Sequence, residues 1–251
     1  MHYVIGDIHN DLKKLKQILK QINITRDDEL IVLGDVFDRG GETADPFGVY
    51  CALAGLQGKC SWIRGNHDDW LANYTYKYFN TPEKKRHKLA PYGYNSFELL
   101  RQRITEVDMR NIADLIKGLP LQKELELEGK KYLCFGGTES PDKEEREAGY
   151  NWWPQEMPSD EEYAACEANL EANGWQVDYV LTHDAPSRFL DFTSLAVGES
   201  NRLHLFLDKV LLKLTYEKWF FGCYHKDVAL STKSRCVFCD VIPMGERHAK
   251  R

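Results

Sequence analysis

The chain has 251 residues, of which 43% are hydrophobic and 12% aromatic, so it can bury a sizeable core and is not a disordered segment. Its net charge of -6, without a lysine or arginine stripe beyond residues 84–88, argues against tight non-specific binding of nucleic acid. No apolar run approaches the roughly 20 residues that span a bilayer, and the seven scattered cysteines are typical of reduced thiols, so we expect a cytoplasmic protein without a membrane span.

The first half of the chain predicts strands that alternate with helices. Apolar residues between Leu12 and Ile22 recur at helical spacing among lysines, which predicts an amphipathic helix that leads to a second strand. Further helices are predicted at about 44–56, 69–79, 95–104 and 109–117. This order is typical of a βαβ beginning.

The second half predicts a hairpin, two helices and further strands. Strand-like runs at 121–127 and 131–135 flank a tight turn, and a capping box at Ser159 and Glu162 begins a helix that reaches about residue 173. The remaining predicted elements are a helix at 203–214 and strands near 228–231 and 236–242. We therefore predict an α/β fold in which two sheets pack face to face with helices outside.

Five polar clusters each follow a short apolar run that is expected to form a buried strand. The clusters are GDIHN at 6–10, GDVFDRG at 34–40, RGNHDD at 64–69, THDAP at 182–186 and GCYH at 222–225. In α/β proteins the loops at the carboxyl ends of strands gather at one edge of the sheet, where ligands bind. Aspartate, histidine and asparagine supply oxygen and nitrogen ligands, so the set predicts two divalent metals that share a bridging carboxylate. Two such ions can activate water and clamp a phosphoryl group.

The motifs and their order resemble the calcineurin-like metallophosphoesterases over residues 6–225. The GDVFDRG form resembles the branch that contains serine/threonine protein phosphatases and symmetrical diadenosine tetraphosphate hydrolases. The resemblance implies an αββα sandwich of the metallophosphoesterase type. Because the expected ligands are spread from residue 7 to residue 225, we predict one domain over residues 1–251.

The resemblance implies two divalent ions, manganese, iron or zinc, held by residues from all five clusters. The first ion would be held by Asp7, His9 and His225, the second by Asn66 and His183, and both by the bridging Asp35. Cys223 stands where family members have the first histidine of a Gly-His-x-His motif. A thiolate there can ligate zinc or ferrous iron, and the alternative is a buried thiol that only packs.

The resemblance also implies a catalytic dyad. His67 would protonate the leaving oxygen and Asp38 would orient it, which needs a group that titrates near neutral pH in one tautomer. Arg39 resembles the phosphate-binding arginine of the DRG motif, whose planar fork matches two phosphoryl oxygens. Arg64 is a weaker candidate for the same role, and Arg146 is a candidate for a second phosphate contact.

The segment at about 136–158 predicts a long irregular loop on the substrate side. It contains Trp152 and Trp153, which would form a wall of the substrate pocket if they are exposed. The alternative is that the two tryptophans fix the loop to the core. His204 falls outside every motif and is interpreted as structural or solvated.

The function predicted first is hydrolysis of a phosphomonoester or a phosphoprotein by a metal-bridging hydroxide, without a covalent enzyme intermediate. The alternative within the family is a hydrolase of dinucleoside polyphosphates or nucleotide phosphodiesters, which shares the DRG cluster. An alternative of another class is a non-catalytic relative that binds metal or a phospholigand, in which Cys223 has weakened the second metal site. Sequence does not indicate the oligomeric state.

Overall fold

The computed structural model describes residues 1–119, 122–127, 129–148, 152–191, 193, 195 and 199–244, with only the backbone described at 122–127. The strands in this part are β1 (His2–Ile5), β2 (Glu29–Val32), β3 (Lys59–Trp62), β4 (Gln122–Leu127), β5 (Lys130–Phe135), β6 (Tyr179–Thr182), β7 (Lys218–Phe221), β8 (Val228–Ala229), β9 (Ser234–Cys236) and β10 (Ile242–Met244). The helices are α1 (Leu12–Ile22), α2 (Pro46–Ala54), α3 (Asn66–Asn80), α4 (Glu83–Arg86), α5 (Ser96–Arg101), α6 (Glu106–Gly118), α7 (Asp160–Ala172), α8 (Ser187–Asp191) and α9 (Arg202–Lys213).

The strands form two sheets. The first has the order β10-β1-β2-β3, in which β1, β2 and β3 are parallel and β10 is antiparallel to β1. The second has the order β4-β5-β6-β7-β9-β8, in which β5, β6, β7 and β9 are parallel and the two edge strands are antiparallel. The carboxyl ends of the parallel strands of each sheet therefore lie side by side at one edge.

Side chains that alternate along the strands fill three core layers. In β1, Tyr3 and Ile5 pack with the helices of the first half of the chain, whereas Val4 packs between the two sheets. In β5, Leu133 packs with the helices of the second half and Tyr132 packs between the sheets. Both faces of these strands are buried, which is why their sequences are almost continuously apolar. The predicted two-sheet sandwich with helices outside is confirmed.

Most predicted elements are present, with shifted ends. The capping box that begins α7 is present, since Glu162 N–H donates to Ser159 Oγ at 3.2 Å and Ser159 N–H donates to the Glu162 carboxylate at 2.8 Å. Helix α3 begins at Asn66, inside its polar cluster, three residues before the predicted start at 69. The turn residue at 128 and the start of the hairpin at 121 lie outside the described residues.

The strand predicted at 236–242 is wrong. β9 ends at Cys236 in the second sheet, and β10 begins at Ile242 in the first. Between them the chain turns around Asp227, whose carboxylate accepts the N–H groups of residues 238–240 at 2.8 to 2.9 Å. An apolar run cannot distinguish one strand from two short strands that belong to different sheets.

None of the helices in the described segments is both long and apolar enough to cross a membrane. The single domain over residues 1–251 stays a prediction, and residues 245–251 lie outside the described part of the chain.

Candidate metal centre

The polar clusters converge where strands of both sheets end, and their backbone is strained. Nine described residues other than glycine have a positive φ, a conformation that L-residues rarely adopt. Seven of them belong to the clusters, namely His9, Asn10, Asp35, Asp38, Arg39, Cys223 and His225, with φ between 47° and 68°. Strain concentrated in this way is typical of a functional site.

Asp7, His9 and His225 form a compact group whose ligand atoms all lie within 4.8 Å of one another. The Nε2 atoms of His9 and His225 are 2.9 Å apart, and His225 Nε2 lies 3.1 Å from Asp7 Oδ2. His9 Nδ1 lies 3.0 Å from the Phe37 carbonyl, so this nitrogen carries the proton and Nε2 keeps its lone pair. Burial opposes ionisation of Asp7, but interactions with the three nearby imidazoles outweigh it and lower the pKa of Asp7 to about 2.

Asp35 lies between this group and His183. Its Oδ2 is 3.8 Å from His9 Nε2 and 3.6 Å from His183 Nε2, and its Oδ1 accepts the His67 N–H at 3.0 Å. His183 Nδ1 lies 2.7 Å from the Leu33 carbonyl, which again places the proton on Nδ1. The fully buried His183 Nε2 has no oxygen or nitrogen hydrogen-bond partner among the described residues, and the His183 ring lies beside the Cys223 thiol. A buried lone pair that faces a carboxylate suits a cation.

Two glycines allow neighbouring loops to approach Asp35 and His183 closely. A Cβ at Gly65 would lie 2.2 Å from Asp35 Oδ1 and 2.4 Å from Asp35 N, and one at Gly34 would lie 2.6 Å from His183 Nδ1. The buried Asp68 holds the same turns, since its carboxylate accepts the N–H groups of Val36, Phe37 and Gly65 at 2.9 to 3.2 Å. Burial and the charge of Asp35 raise the pKa of Asp68 to about 8.

Asn66 and Cys223 line the same pocket as Asp35. The Asn66 amide nitrogen donates to Ser140 Oγ at 3.4 Å, which leaves its oxygen available as a ligand. Cys223 Sγ lies 3.7 Å from Thr138 Oγ1, and burial raises the pKa of this thiol to about 11, although the nearby His183 opposes the shift. Both interpretations of Cys223, ligand and packing thiol, remain predictions.

His67 and Asp38 form a buried pair, with His67 Nδ1 3.2 Å from Asp38 Oδ2. Tyr92 Oη donates to the same carboxylate oxygen at 2.5 Å. Burial raises the pKa of Asp38 to about 6 against the opposing hydrogen bond from Tyr92, and burial also lowers the pKa of His67 to about 3. The His67 ring lies 4.6 Å from the Tyr94 ring and 4.7 Å from the Trp70 ring, measured between centroids.

The three candidate arginines lie in different places. Arg39 lines the pocket and its Nη1 lies 3.5 Å from His225 Nδ1. Arg64 and Arg146 do not line this pocket, which does not favour their predicted contacts with phosphate. Arg64 is buried with Nη1 3.4 Å from Asp69 Oδ1, and Arg146 donates to the Asp142 carboxylate at 2.5 to 2.7 Å. Each of these two guanidinium groups therefore has a carboxylate beside it already.

The tryptophans of the 136–158 segment pack in the core instead of lining the pocket. Trp153 is 9% exposed, and Trp152 is partly buried against the same core beside the first sheet. This packing removes the argument for base stacking on them.

Glu156, from the same segment, was missed in the sequence, where it is one acidic residue among many. It is 1% exposed and accepts hydrogen bonds from four donors at 2.7 to 3.1 Å. The donors are Ser140 N, Ser140 Oγ, Trp70 Nε1 and Trp152 Nε1. Ser140 Oγ in turn accepts the Asn66 amide, so Glu156 supports a predicted metal ligand through Ser140.

His204, interpreted from the sequence as structural or solvated, makes structural contacts and also lines the pocket. Its Nε2 lies 3.1 Å from Asp184 Oδ2, and its Nδ1 accepts the Asn201 N–H at 3.3 Å, within the capping box of α9. The buried Asp184 also accepts the hydroxyl groups of Thr138 and Tyr224 at 2.6 and 2.5 Å. Asp184 thus joins the loops that follow β5, β6 and β7 around a pocket of about 290 Å³.

A family profile described as calcineurin-like phosphoesterase matches residues 3–218. A comparison with proteins of curated function gave no match. Among solved structures, the chain is similar to a protein serine/threonine phosphatase from Saccharomyces cerevisiae with similarity to human phosphatase PP5, at 16% identity and a TM-score of 0.47. That likeness covers 94% of this chain and 66% of that chain.

Two further solved structures are similar. One is a putative diadenosine tetraphosphatase, at 24% identity and a TM-score of 0.34 over 48% of this chain and 43% of that chain. The other is the hypothetical protein PH1004 from Pyrococcus horikoshii OT3, at 14% identity and a TM-score of 0.41 over 73% of this chain and 69% of that chain. The chain thus matches just under two thirds of the yeast phosphatase and under half of the tetraphosphatase.

Proposed function

Since the chain belongs to the calcineurin-like phosphoesterase family, we propose that it hydrolyses phosphate ester bonds in the pocket beside Asp35, with two divalent ions as cofactors. The observation that carries this proposal is the convergence of Asp7, His9 and His225 in one group, next to Asp35 and the buried Nε2 of His183, which lies 3.6 Å from Asp35 Oδ2. Carboxylates and imidazole lone pairs at these distances fit metal binding.

The proposed ligands divide between two ions as the motifs imply. Asp7, His9 and His225 are proposed for the first, Asn66, His183 and Cys223 for the second, and Asp35 for both. Backbone carbonyls fix the protonated Nδ1 of His9 and of His183, which aims Nε2 at the carboxylates. When bound, two divalent ions activate the attacking water and neutralise phosphoryl charge. Manganese, iron and zinc are the candidates.

The chain's own groups have separate proposed roles. His67 donates a proton to the leaving oxygen, and Asp38 holds its Nδ1 and stabilises the imidazolium. Because burial lowers the pKa of His67 to about 3, this imidazole is neutral until an anionic phosphate in the pocket favours its protonated form. Arg39, which lines the pocket, binds phosphoryl oxygens.

We propose a phosphomonoester, either a small phosphate ester or a phosphoprotein, as the substrate. The cavity of about 290 Å³ lies at the small end of ligand pockets. Burial of Trp153 and packing of Trp152 leave no support from these residues for a stacked nucleobase. Dinucleoside polyphosphates and nucleotide phosphodiesters remain the alternative within the family. The cytoplasmic location stays a prediction from the sequence.

The test combines metal analysis with an activity screen. The purified protein is loaded with manganese, zinc, iron, cobalt or nickel and assayed against p-nitrophenyl phosphate, bis-p-nitrophenyl phosphate, phosphopeptides and diadenosine tetraphosphate. We expect about two ions per chain and turnover of the monoesters. Turnover of only the diester or the tetraphosphate would replace the proposed substrate class.

His67→Asn supplies the control within the site. It should retain both ions, because His67 is not a proposed ligand, and lower the rate on poor leaving groups by about 10²- to 10⁴-fold. Bound metal without turnover of any substrate by the wild-type protein would favour the non-catalytic relative and overturn the proposed function.

A further inference from the structure

A short segment that follows α4 and ends at the first residue of α5 packs over the proposed dyad. We call residues 92–96, with the sequence Tyr-Gly-Tyr-Asn-Ser, the tyrosine strap. Tyr92 Oη donates to Asp38 Oδ2 at 2.5 Å, and the Asp38 N–H donates to Ser96 Oγ at 2.7 Å. The strap therefore holds both the carboxylate and the backbone of Asp38.

Tyr92 and His67 meet at one oxygen. Asp38 Oδ2 lies 2.5 Å from Tyr92 Oη and 3.2 Å from His67 Nδ1, so this oxygen accepts from both. Tyr92 is 8% exposed and His67 is 2% exposed, so water does not readily replace either donor to the fully buried Asp38. With the Tyr92 hydroxyl in place, the carboxylate has a fixed rotation about its Cβ–Cγ bond, and Oδ2 faces the imidazole.

The rest of the strap restricts the neighbouring groups. The Tyr94 ring stands at 72° to the His67 ring with centroids 4.6 Å apart, and it stacks on Trp70 at 5.5 Å. Asn95 Nδ2 donates to the Arg39 carbonyl at 2.7 Å, where Arg39 has the strained φ of 60°. The strap therefore touches His67, Asp38 and Arg39, the three residues with proposed roles besides metal binding.

We propose that Tyr92 is a positioning residue for the proton transfer, because its hydroxyl fixes Asp38 Oδ2 in the orientation that receives the His67 Nδ1–H. With Nδ1–H held in this way, Nε2 is the nitrogen that takes up a proton from solvent when the anionic phosphate enters the pocket, and it delivers that proton to the leaving oxygen as the bond between phosphorus and that oxygen breaks, which returns the imidazole to its neutral form. The inference rests on the proposed phosphoesterase function and adds a residue outside every recognised motif.

This role predicts a dependence on the leaving group. An alkoxide must be protonated as it departs, whereas p-nitrophenolate departs without a proton. Tyr92→Phe keeps the ring and its packing but removes the Tyr92 hydroxyl, one of the donors to the Asp38 carboxylate. Since mispositioning a catalytic group costs on the order of 100-fold, we expect kcat for an alkyl phosphate such as glycerol 2-phosphate to fall by about 10- to 100-fold. For p-nitrophenyl phosphate kcat should change by less than about threefold, and KM for both substrates should stay unchanged.

Tyr74→Phe is the matched control. Tyr74 Oη donates to the Ala90 carbonyl at 2.8 Å, and its ring lies 5.0 Å from the Tyr92 ring. Because the Tyr74 hydroxyl also hydrogen-bonds the Tyr92 backbone, Tyr74→Phe loosens the strap without removing a donor to the Asp38 carboxylate. Equal loss on both substrates in Tyr92→Phe, or the same selective loss in Tyr74→Phe, would overturn the positioning role, because a general loosening of the strap would explain either result.

A second measurement keeps the inference separate from the proposed function. In zinc-loaded protein labelled with ¹⁵N-histidine, the imidazole signals absent from His67→Asn identify His67. We expect these signals to report a protonated Nδ1 in the wild type and in Tyr74→Phe, and a change in tautomer population in Tyr92→Phe. An unchanged His67 tautomer in Tyr92→Phe overturns the positioning role whether or not the protein turns over a substrate. A wild-type protein without turnover overturns the proposed function alone.

Discussion

Gly65 should not tolerate even one added methyl group. A Cβ at this position would lie 2.4 Å from the backbone nitrogen of Asp35 and 2.2 Å from its Oδ1. Rotation of the Asp35 side chain could relieve the second overlap but not the first, because the first involves backbone. Gly65→Ala should therefore force apart the loops that follow β2 and β3, and Asp35 should move with its loop.

The size of the effect follows from these distances. Ordinary contacts of a Cβ begin near 3.4 Å, so the backbone must move by about 1 Å, and overpacking of this kind typically costs about 1–3 kcal/mol. Loss of glycine's conformational freedom in the unfolded chain offsets roughly 0.4–1 kcal/mol of this cost. We expect a net loss of about 1–2 kcal/mol in the free energy of unfolding. The rate of turnover should fall by about 100-fold, because a displacement near 1 Å disrupts catalytic geometry.

The assay compares urea unfolding, bound metal and turnover of p-nitrophenyl phosphate in Gly65→Ala and Gly118→Ala. Gly118 is the last residue of α6, and an added Cβ there would meet no described atom within 4 Å. This control should keep wild-type turnover and gain up to about 1 kcal/mol in stability from helix propensity. Wild-type stability and rate in Gly65→Ala would refute the argument that close approach at this glycine fixes Asp35.

Three further substitutions test the site. Asp35→Asn should abolish turnover and weaken the binding of both ions, which metal analysis would measure. A variant that keeps more than about a tenth of the wild-type rate, a loss of less than roughly 1.4 kcal/mol of barrier, would count against a bridging role. If Cys223 ligates the second ion, Cys223→Ser should lose that ion and Cys223→His should restore activity with manganese. Unchanged metal content and rate in Cys223→Ser would instead show that the thiol only packs. Glu156→Leu leaves four donors unpaired, three of them in buried contacts, and should cost about 3–5 kcal/mol in the free energy of unfolding by urea and weaken the second ion. A loss below about 1 kcal/mol would mean that the donors find other partners.

The sequence predicted the fold and the grouping of the polar clusters because both depend on local patterns. Strands with both faces buried are continuously apolar, and loops after parallel strands meet at one edge of a sheet. For example, β1 and β2 run in parallel with Ile5 beside Val32, so the clusters that contain Asp7 and Asp35 become neighbours. That placement needs no knowledge of distant contacts.

Supporting residues were not predictable in this way. Tyr92 lies 54 positions from Asp38 and Glu156 lies 86 positions from Trp70, and neither belongs to a motif with fixed spacing. The strand at 236–242 failed for a related reason. Its apolar residues serve two sheets, and the turn between them depends on Asp227, which contacts backbone 11 to 13 positions away. Contacts of this kind appear only when the tertiary structure is known.

Buried carboxylates outside the proposed ligand set explain how the strained site persists. Asp68 accepts backbone N–H groups from two clusters, Glu156 fixes Ser140 beside Asn66, and Asp184 ties together three loops of the second sheet. Each is almost fully buried and has several donors, so their hydrogen bonds offset the cost of unusual backbone conformations nearby. Because these carboxylates satisfy the loops, the Nε2 atoms of His9 and His183 need not serve the fold. His183 Nε2 lies 3.6 Å from Asp35 Oδ2, and His9 Nε2 lies 3.8 Å from the same oxygen and 2.9 Å from His225 Nε2, so a cation bound there would meet donors from three loops.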